Sequence, residues 1–264
     1  MRYDTRIVKT ALITGASGGL GEEFAKLFSA DGYDLVLVAR SRDKLEKLAT
    51  DLHAKHDITA TVIPCDLSLP NAAKNLCEEL KKRNITIDVL VNNAGFGAYG
   101  PFAETNYEQE KSLLQVNIVA LTDLTKLLLP DMVKRRSGNI LNVASTAAFQ
   151  AGPLMAVYYA SKAYVMNFSL ALSEELRGTG VTVTCLCPGP TRTGFEAGAG
   201  MTASKLFKAG SMDAMTVAKI GYDAMKAGRP LIVAGLLNKI GTFMTRLIPR
   251  MFAAKVAKWV QSPM

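Results

Sequence analysis

The 264-residue chain is predicted to be an α/β protein, a doubly wound parallel sheet of about seven strands with helices on both faces. Three observations predict it. Short β-branched runs alternate with longer amphipathic ones over most of the length. The first such run ends in a glycine-rich turn, and a helical pattern starts at once. No internal repeat, low-complexity tract or long polar linker marks a second unit, so residues 1–264 read as one domain.

In chain order the strand patterns are Thr10 to Thr14, Asp34 to Ala39, Ala60 to Pro64, Asp88 to Asn92, Gly138 to Ala144, Val181 to Cys187 and Pro230 to Ala234. Helical periodicity fills the intervals: Leu20 to Asp31, Arg42 to Lys55, Leu69 to Arg83, Tyr107 to Arg136, Val157 to Thr179 and Asp213 to Ala227. One stretch is irregular. Residues 189–210 are rich in Gly, Ala and Thr but carry Phe195, Met201, Leu206 and Phe207, the composition of a lid with apolar anchors.

Composition narrows the function classes. Four cysteines without paired CxxC spacing argue against a zinc site or a disulfide framework, and no metal is expected. Cys185 and Cys187 share one face of a strand and read as small core residues. The first nine residues leave no room for a signal peptide's apolar stretch, and no uninterrupted apolar run approaches a membrane span. A reduced, cytoplasmic setting is expected. The net charge of +8 is mostly scattered among acidic residues, which gives no nucleic-acid patch. The exception is the C-terminal end: after Asp223 there is no acidic residue, while Lys226, Arg229, Lys239, Arg246, Arg250, Lys255 and Lys258 remain.

The first strand runs into Thr14-Gly15-Ala16-Ser17-Gly18-Gly19-Leu20-Gly21. Strand, glycine turn and helix in that order suit a dinucleotide pyrophosphate, because backbone N–H groups and a helix N-terminus face the anion. Gly15, Ser17, Gly19, Leu20 and Gly21 are the expected contacts, in a Rossmann-type fold. The second strand ends at Arg40-Ser41, where a carboxylate for ribose hydroxyls would usually stand. An arginine there suits a 2'-phosphate. NADP(H) is therefore the expected cofactor, with Arg40 as its main contact and Ser41 and Ser17 assisting.

Tyr158 and Lys162 stand four residues apart in a helical segment, so the phenol and the ammonium are neighbours. A phenol titrates near pH 10 and works near neutrality only if its phenolate gains roughly 3 to 4 kcal/mol. A lysine charge about 4.5 Å away at an effective dielectric near 20 supplies that amount. Tyr159 is the rival, but it stands only three residues from Lys162.

With these landmarks the chain resembles the short-chain dehydrogenase/reductase family from Lys9 to about Ala234. The resemblance implies that Asp66 and Leu67 follow the third strand at the adenine, although Asp66 also fits a helix cap with Ser68. Asn93, Ala94 and Gly95 would back the cofactor, and Pro188, Gly189, Thr191 and Thr193 would line the nicotinamide carboxamide. Ser145, thirteen residues before Tyr158, matches the family's catalytic serine, and Asn117 its helix asparagine, which would hold a water between Lys162 and solvent. Tyr158 would be the general acid/base, with Lys162 lowering its pKa and bonding the nicotinamide ribose.

The implied activity is NADP(H)-dependent hydride transfer to or from the carbonyl or secondary alcohol of an apolar small molecule. A membrane-associated lipid, acyl-chain or steroid reductase is the alternative, and a cofactor-binding regulator without turnover a more distant one. Phe96, Phe149, Pro153, Leu154, Met155, Phe195, Met201 and Phe207 are candidate pocket walls. The resemblance also implies a homodimer or homotetramer through the two long helices near Tyr107 to Arg136 and Val157 to Thr179. The basic, apolar extension 236–264, interrupted by Pro249, reads first as a helix pair against the pocket or a neighbouring subunit and second as a membrane contact.

Overall fold

The computed structural model describes residues 8–195 and 210–262. Seven parallel strands form one sheet: β1 (Thr10–Thr14), β2 (Asp34–Ala39), β3 (Ala60–Pro64), β4 (Val89–Asn92), β5 (Gly138–Val143), β6 (Val181–Cys187) and, at the far edge, Leu231–Val233. The spatial order is β3-β2-β1-β4-β5-β6 and then Leu231–Val233. The winding therefore reverses between β1 and β4, which opens a crevice at their C-terminal ends.

Period-two alternation distributes the strand residues to two cores. Ala11, Ile13, Leu35, Leu37, Val89 and Val91 face α1 (Gly19–Ala30) and α2 (Arg42–His56). Leu12, Val36, Val38, Leu90 and Ile140 face α3 (Ala72–Lys82) and the long helical run after β4. Phe24 and Phe28 of α1 are wholly buried, each contributing roughly 2 to 3 kcal/mol by burial.

Three helices depart instructively from expectation. α3 starts at Ala72 rather than Leu69, because Pro70 pushes the residue before it out of the helical region. The run near Tyr107 to Arg136 is not uniform: α4 (Tyr107–Leu114) passes through a π-helical turn, Gln115–Ala120, into α5 (Leu121–Arg135). α6 (Ala156–Glu175) stops four residues early, ahead of a turn with left-handed glycines at Gly178 and Gly180. By length and composition Tyr107–Arg135 is apolar enough to cross a membrane. Here it packs on the sheet through Leu124 and Met132.

Two short strands absent from the sequence reading, β7 (Thr191–Arg192) and β8 (Met212–Asp213), pair in parallel. Residues 196–209, with Met201, Leu206 and Phe207, lie outside the described residues. After β8 come α7 (Ala214–Lys226), β9 (the edge strand Leu231–Val233), α8 (Leu236–Met244) and α9 (Arg250–Gln261), with Pro249 at the N-terminal boundary of α9.

Candidate active site

The crevice between β1 and β4 is laced together at its floor. Thr14 Oγ1 accepts hydrogen bonds from the backbone N–H of Asn93 and Ala94, both at 3.0 Å, and donates to Val91 O at 3.2 Å. Asn93 Nδ2 donates back to Thr14 O at 2.9 Å. The side chain of Asn93 is thus committed to the strand ends, and with Ala94 and Gly95 it forms one wall of a cavity of about 470 Å³.

Gly15, Gly19 and Leu20 line the same cavity. Gly19 has φ +55° and a Cβ there would stand 2.9 Å from Thr193, so only glycine leaves this wall open. Gly21 sits behind it, where a Cβ would run into the Gly15 carbonyl and come within 2.7 Å of Asn93 Nδ2. Gly21 is a packing residue rather than part of the cavity lining, and Ser17 likewise stands outside that lining.

The residues expected at the adenosine end, Arg40, Ser41, Asp66 and Leu67, stand outside the cavity lining. Arg40 and Ser41 are exposed, Ser41 at the boundary of α2, while Arg42 is paired with Glu46 at 3.3 Å. Asp66 Oδ1 accepts from Ser68 N at 2.9 Å and Ser68 Oγ at 2.7 Å. These bonds, helped by the nearby Arg40 charge, hold its carboxyl below the usual range. The Asp66–Ser68 contact is a local turn and not a helix cap, since Asn71 precedes α3. Leu67 is buried against Ala72, Val116 and Ala120; in the protein's own packing it is a core residue.

The opposite wall is built by β5 and α6. Ser145, Tyr158 and Lys162 all line the cavity. Asn142 accepts from Asn92 Nδ2 at 2.9 Å and donates to Ser169 Oγ at 2.9 Å, a buried polar ladder that fixes α6 to the sheet. Ser145 Oγ accepts from Ala147 N at 3.1 Å. Lys162 Nζ donates to Val143 O at 2.9 Å and lies 5.7 Å from the centre of the Tyr158 ring.

The electrostatics differ from the sequence expectation. Burial pushes the Tyr158 phenol well above its ordinary pKa, with a Ser145 hydrogen bond opposing the shift. Burial also pushes Lys162 down to about 8. Burial is the first cause of both shifts, and it disfavours the charged form of each side chain.

Tyr159 also lines the cavity, but its partners are different. Its hydroxyl accepts from Gln261 Nε2 at 2.6 Å, and burial lifts it to about 12. Tyr99 donates to Gln261 O at 2.9 Å, so α9 is tied to the cavity from two sides. Val256, Ala257, Val260 and Gln261 complete that wall. Of the helix pair expected in the tail, α9 lines the cavity and α8 contributes no lining residue.

Asn117 lies in the π turn, a frequent site of functional residues. Its side chain accepts from Phe96 N at 3.1 Å and donates to Phe96 O at 3.0 Å and Ser161 Oγ at 3.1 Å. Ser161 in turn donates to Tyr158 O at 2.7 Å. Asn117 therefore positions α6 and the Gly95 segment, and a Cβ on Gly95 would meet both Asn117 Oδ1 and Lys162 Nζ.

Pro188, Gly189, Thr191 and Thr193 line the cavity as expected, as do Phe96, Met155 and Phe195. Pro153 and Leu154 do not. Phe149 packs instead beside Ala144 and the buried Cys185 and Cys187, whose sulfurs are 3.8 Å apart. Sequence reasoning missed Thr14, Ser161 and Gln261. Thr14 had a local signal, its place between strand and glycine turn; Gln261 had none, being 102 residues from Tyr159.

A switch-point crevice continuous with a Ser/Tyr/Lys wall defines a dinucleotide-dependent oxidoreductase. The comparisons with known proteins agree. A model of the short-chain dehydrogenase family matches residues 9–203, and the chain belongs to that family. It is 34% identical over 241 residues to the ketoacyl reductase HetN of Nostoc sp., covering 91% of this chain and 83% of the relative. It is 37% identical over 180 residues to a very-long-chain 3-oxoacyl-CoA reductase of Phaeosphaeria nodorum, covering 67% of this chain and only 53% of that relative's length. Among solved structures, a short-chain dehydrogenase from Sphingobium yanoikuyae in complex with NADPH superposes with a TM-score of 0.81 at 28% identity, over 92% of this chain and 97% of the other.

Proposed function

We propose that the protein uses NADP(H) to interconvert a carbonyl and a secondary alcohol on an apolar small molecule. The observation that carries this reading is the single cavity with a glycine cradle at one end and Ser145, Tyr158 and Lys162 along the other wall. The residues fit the cofactor. The glycine wall admits a pyrophosphate where a Cβ would collide, and exposed Arg40 and Ser41 stand where a 2'-phosphate needs a cation and a hydroxyl. When bound, NADP(H) supplies or takes up the hydride.

Tyr158 donates its proton to the oxygen that gains charge during reduction and withdraws it during oxidation, a role worth about two to four orders of magnitude. A buried phenol held in its protonated form suits the acid role. Ser145 donates to the same oxygen and fixes its place. Lys162, buried beside Tyr158, is the ammonium for the ribose hydroxyls and the charge that offsets a phenolate as it forms. Asn117 acts by positioning these residues through Phe96 and Ser161.

Phe96, Met155, Phe195 and Val260 make the substrate side apolar. Oxoacyl thioesters are the first class to test, because two relatives are named as reductases of oxoacyl or ketoacyl substrates. Arg192 donates to Ser211 O at 2.9 Å and is outside the cavity lining. Self-association through the long helices is part of the reading: Leu114, Val119, Leu127 and Tyr164 are exposed there.

The test is an NADPH-consumption screen over aldehydes, bulky ketones and 3-oxoacyl thioesters, repeated with NADH. Turnover with NADPH and a loss of about tenfold to a hundredfold in NADPH affinity for Arg40→Ala are expected. Equal or better kcat/KM with NADH would falsify the NADP assignment.

A further inference from the structure

The amphipathic pattern of the C-terminal helices is turned outward. In α8, Leu236, Leu237, Ile240, Phe243 and Met244 are all exposed, and Leu247 continues the series beyond it. At about 100° per residue these positions fall within an arc of about 120°. The side facing the protein is polar instead: Thr242 is buried and Asn238 half-buried. α9 repeats the arrangement, with Met251, Phe252, Val256 and Trp259 exposed and Ala253, Ala254 and Ala257 inward. Leu237 is 84% exposed and Met251 73%, far beyond isolated surface leucines.

The charge carried by these two helices is of one sign. Lys239, Arg246, Arg250, Lys255 and Lys258 are exposed along the same two helices, and the sequence has no acidic residue after Asp223. An isologous contact with a second copy would set this cationic patch against itself, which is repulsive. An anionic lipid surface takes both features at once, burying the apolar stripes and attracting the cations that flank them.

We propose that α8 and α9 form a docking surface for the anionic face of a lipid bilayer. α9 is also a wall of the catalytic cavity through Val256, Ala257, Val260 and Gln261, and Val256 belongs to both the cavity lining and the exposed set. Docking through this face places the cavity wall next to the bilayer, where an apolar substrate dissolves. The surface is independent of which carbonyl the enzyme reduces.

Trp259 is the only tryptophan of the chain and lies on this face. The full-length protein is mixed with phosphatidylcholine vesicles with and without phosphatidylserine. Flotation and a blue shift of Trp259 emission are expected with the anionic vesicles, at least about tenfold stronger than with the neutral ones and weakened by salt. Leu237→Asp/Phe252→Asp removes the binding while circular dichroism and NADPH turnover of a soluble substrate stay unchanged. Lys255→Glu/Lys258→Glu, which alters only exposed lysines, also lowers it.

The proposal is overturned if wild-type protein neither floats nor shifts. It is overturned equally if the aspartate variant floats like wild type. Conversion of a dimer to a monomer by the aspartate variant, with vesicles inert, would assign the face to a second copy.

Discussion

The glycine-loop crevice and the C-terminal helix α9 bound the same cavity, yet the crevice and the pair α8 and α9 place their apolar residues in opposite ways. Around the crevice, β1, β4 and α1 turn Ile13, Val91 and Phe24 inward, and Thr14 and Asn93 satisfy one another's polar groups. In α8 and α9 the large apolar residues face out and small or polar ones face in. The crevice is fixed by many long-range bonds. α9 is held by the bonds of Gln261 to the cavity residue Tyr159 and to Tyr99. The glycine end of the cavity is thus closely packed, while its α9 wall belongs to a helix whose other side is exposed.

Four experiments test this contrast. The largest effect is expected at Tyr158→Phe, with kcat lower by about two to four orders of magnitude and NADPH binding, followed by fluorescence, nearly intact. Tyr159→Phe should lose less than about tenfold, because that hydroxyl serves α9 rather than Ser145 and Lys162. A dead Tyr159→Phe beside an active Tyr158→Phe would exchange their roles.

Gly21→Ala should come next. Its Cβ meets the Gly15 carbonyl and approaches Asn93 Nδ2 to 2.7 Å, a clash of about 3 kcal/mol in a region that cannot yield. A lowered melting temperature together with weakened NADPH binding is the expected result. Leu237→Asp, on the outward face, should leave the melting temperature nearly unchanged. Equal losses in the two variants would erase the distinction between the regions.

A smaller, pH-dependent effect is expected at Lys162. Burial depresses it from 10.5 to about 8, so above pH 8 the unfolded chain binds more protons than the native one. Stability contributed by this group therefore rises with pH through that window and is lowest below pH 8. The melting-temperature difference between wild type and Lys162→Met should grow in favour of wild type from about pH 8 to pH 10. A pH-independent difference would mean that the ammonium is solvated.

The smallest effect is expected for Gln261→Leu, which removes the bond to Tyr159. KM for a bulky substrate should change by up to about tenfold while kcat holds. A fall in kcat without any change in KM would place Gln261 with the catalytic wall instead.

Much of the site was legible because its parts are local. Gly15 to Gly21, the Tyr158–Lys162 spacing and the Pro188–Thr193 turn each carry their geometry in a few consecutive residues. The pocket walls were legible only in part. Phe149 went to the core beside Cys185, and Leu67 likewise packed inside, because an apolar side chain in sequence says that it wants cover and not which side supplies it.

The amino-acid sequence by itself determined the winding of the sheet, the glycine turn and the order of the candidate catalytic residues, all consequences of short-range periodicity and backbone sterics. The tertiary structure alone decided the π turn that aims Asn117, the union of Gln261 with Tyr159 across 102 residues and the outward face of α8 and α9. It also decided how deeply Tyr158 and Lys162 are buried, which disfavours the charged form of each. Desolvation depends on every neighbour at once, and no spacing between two residues encodes it.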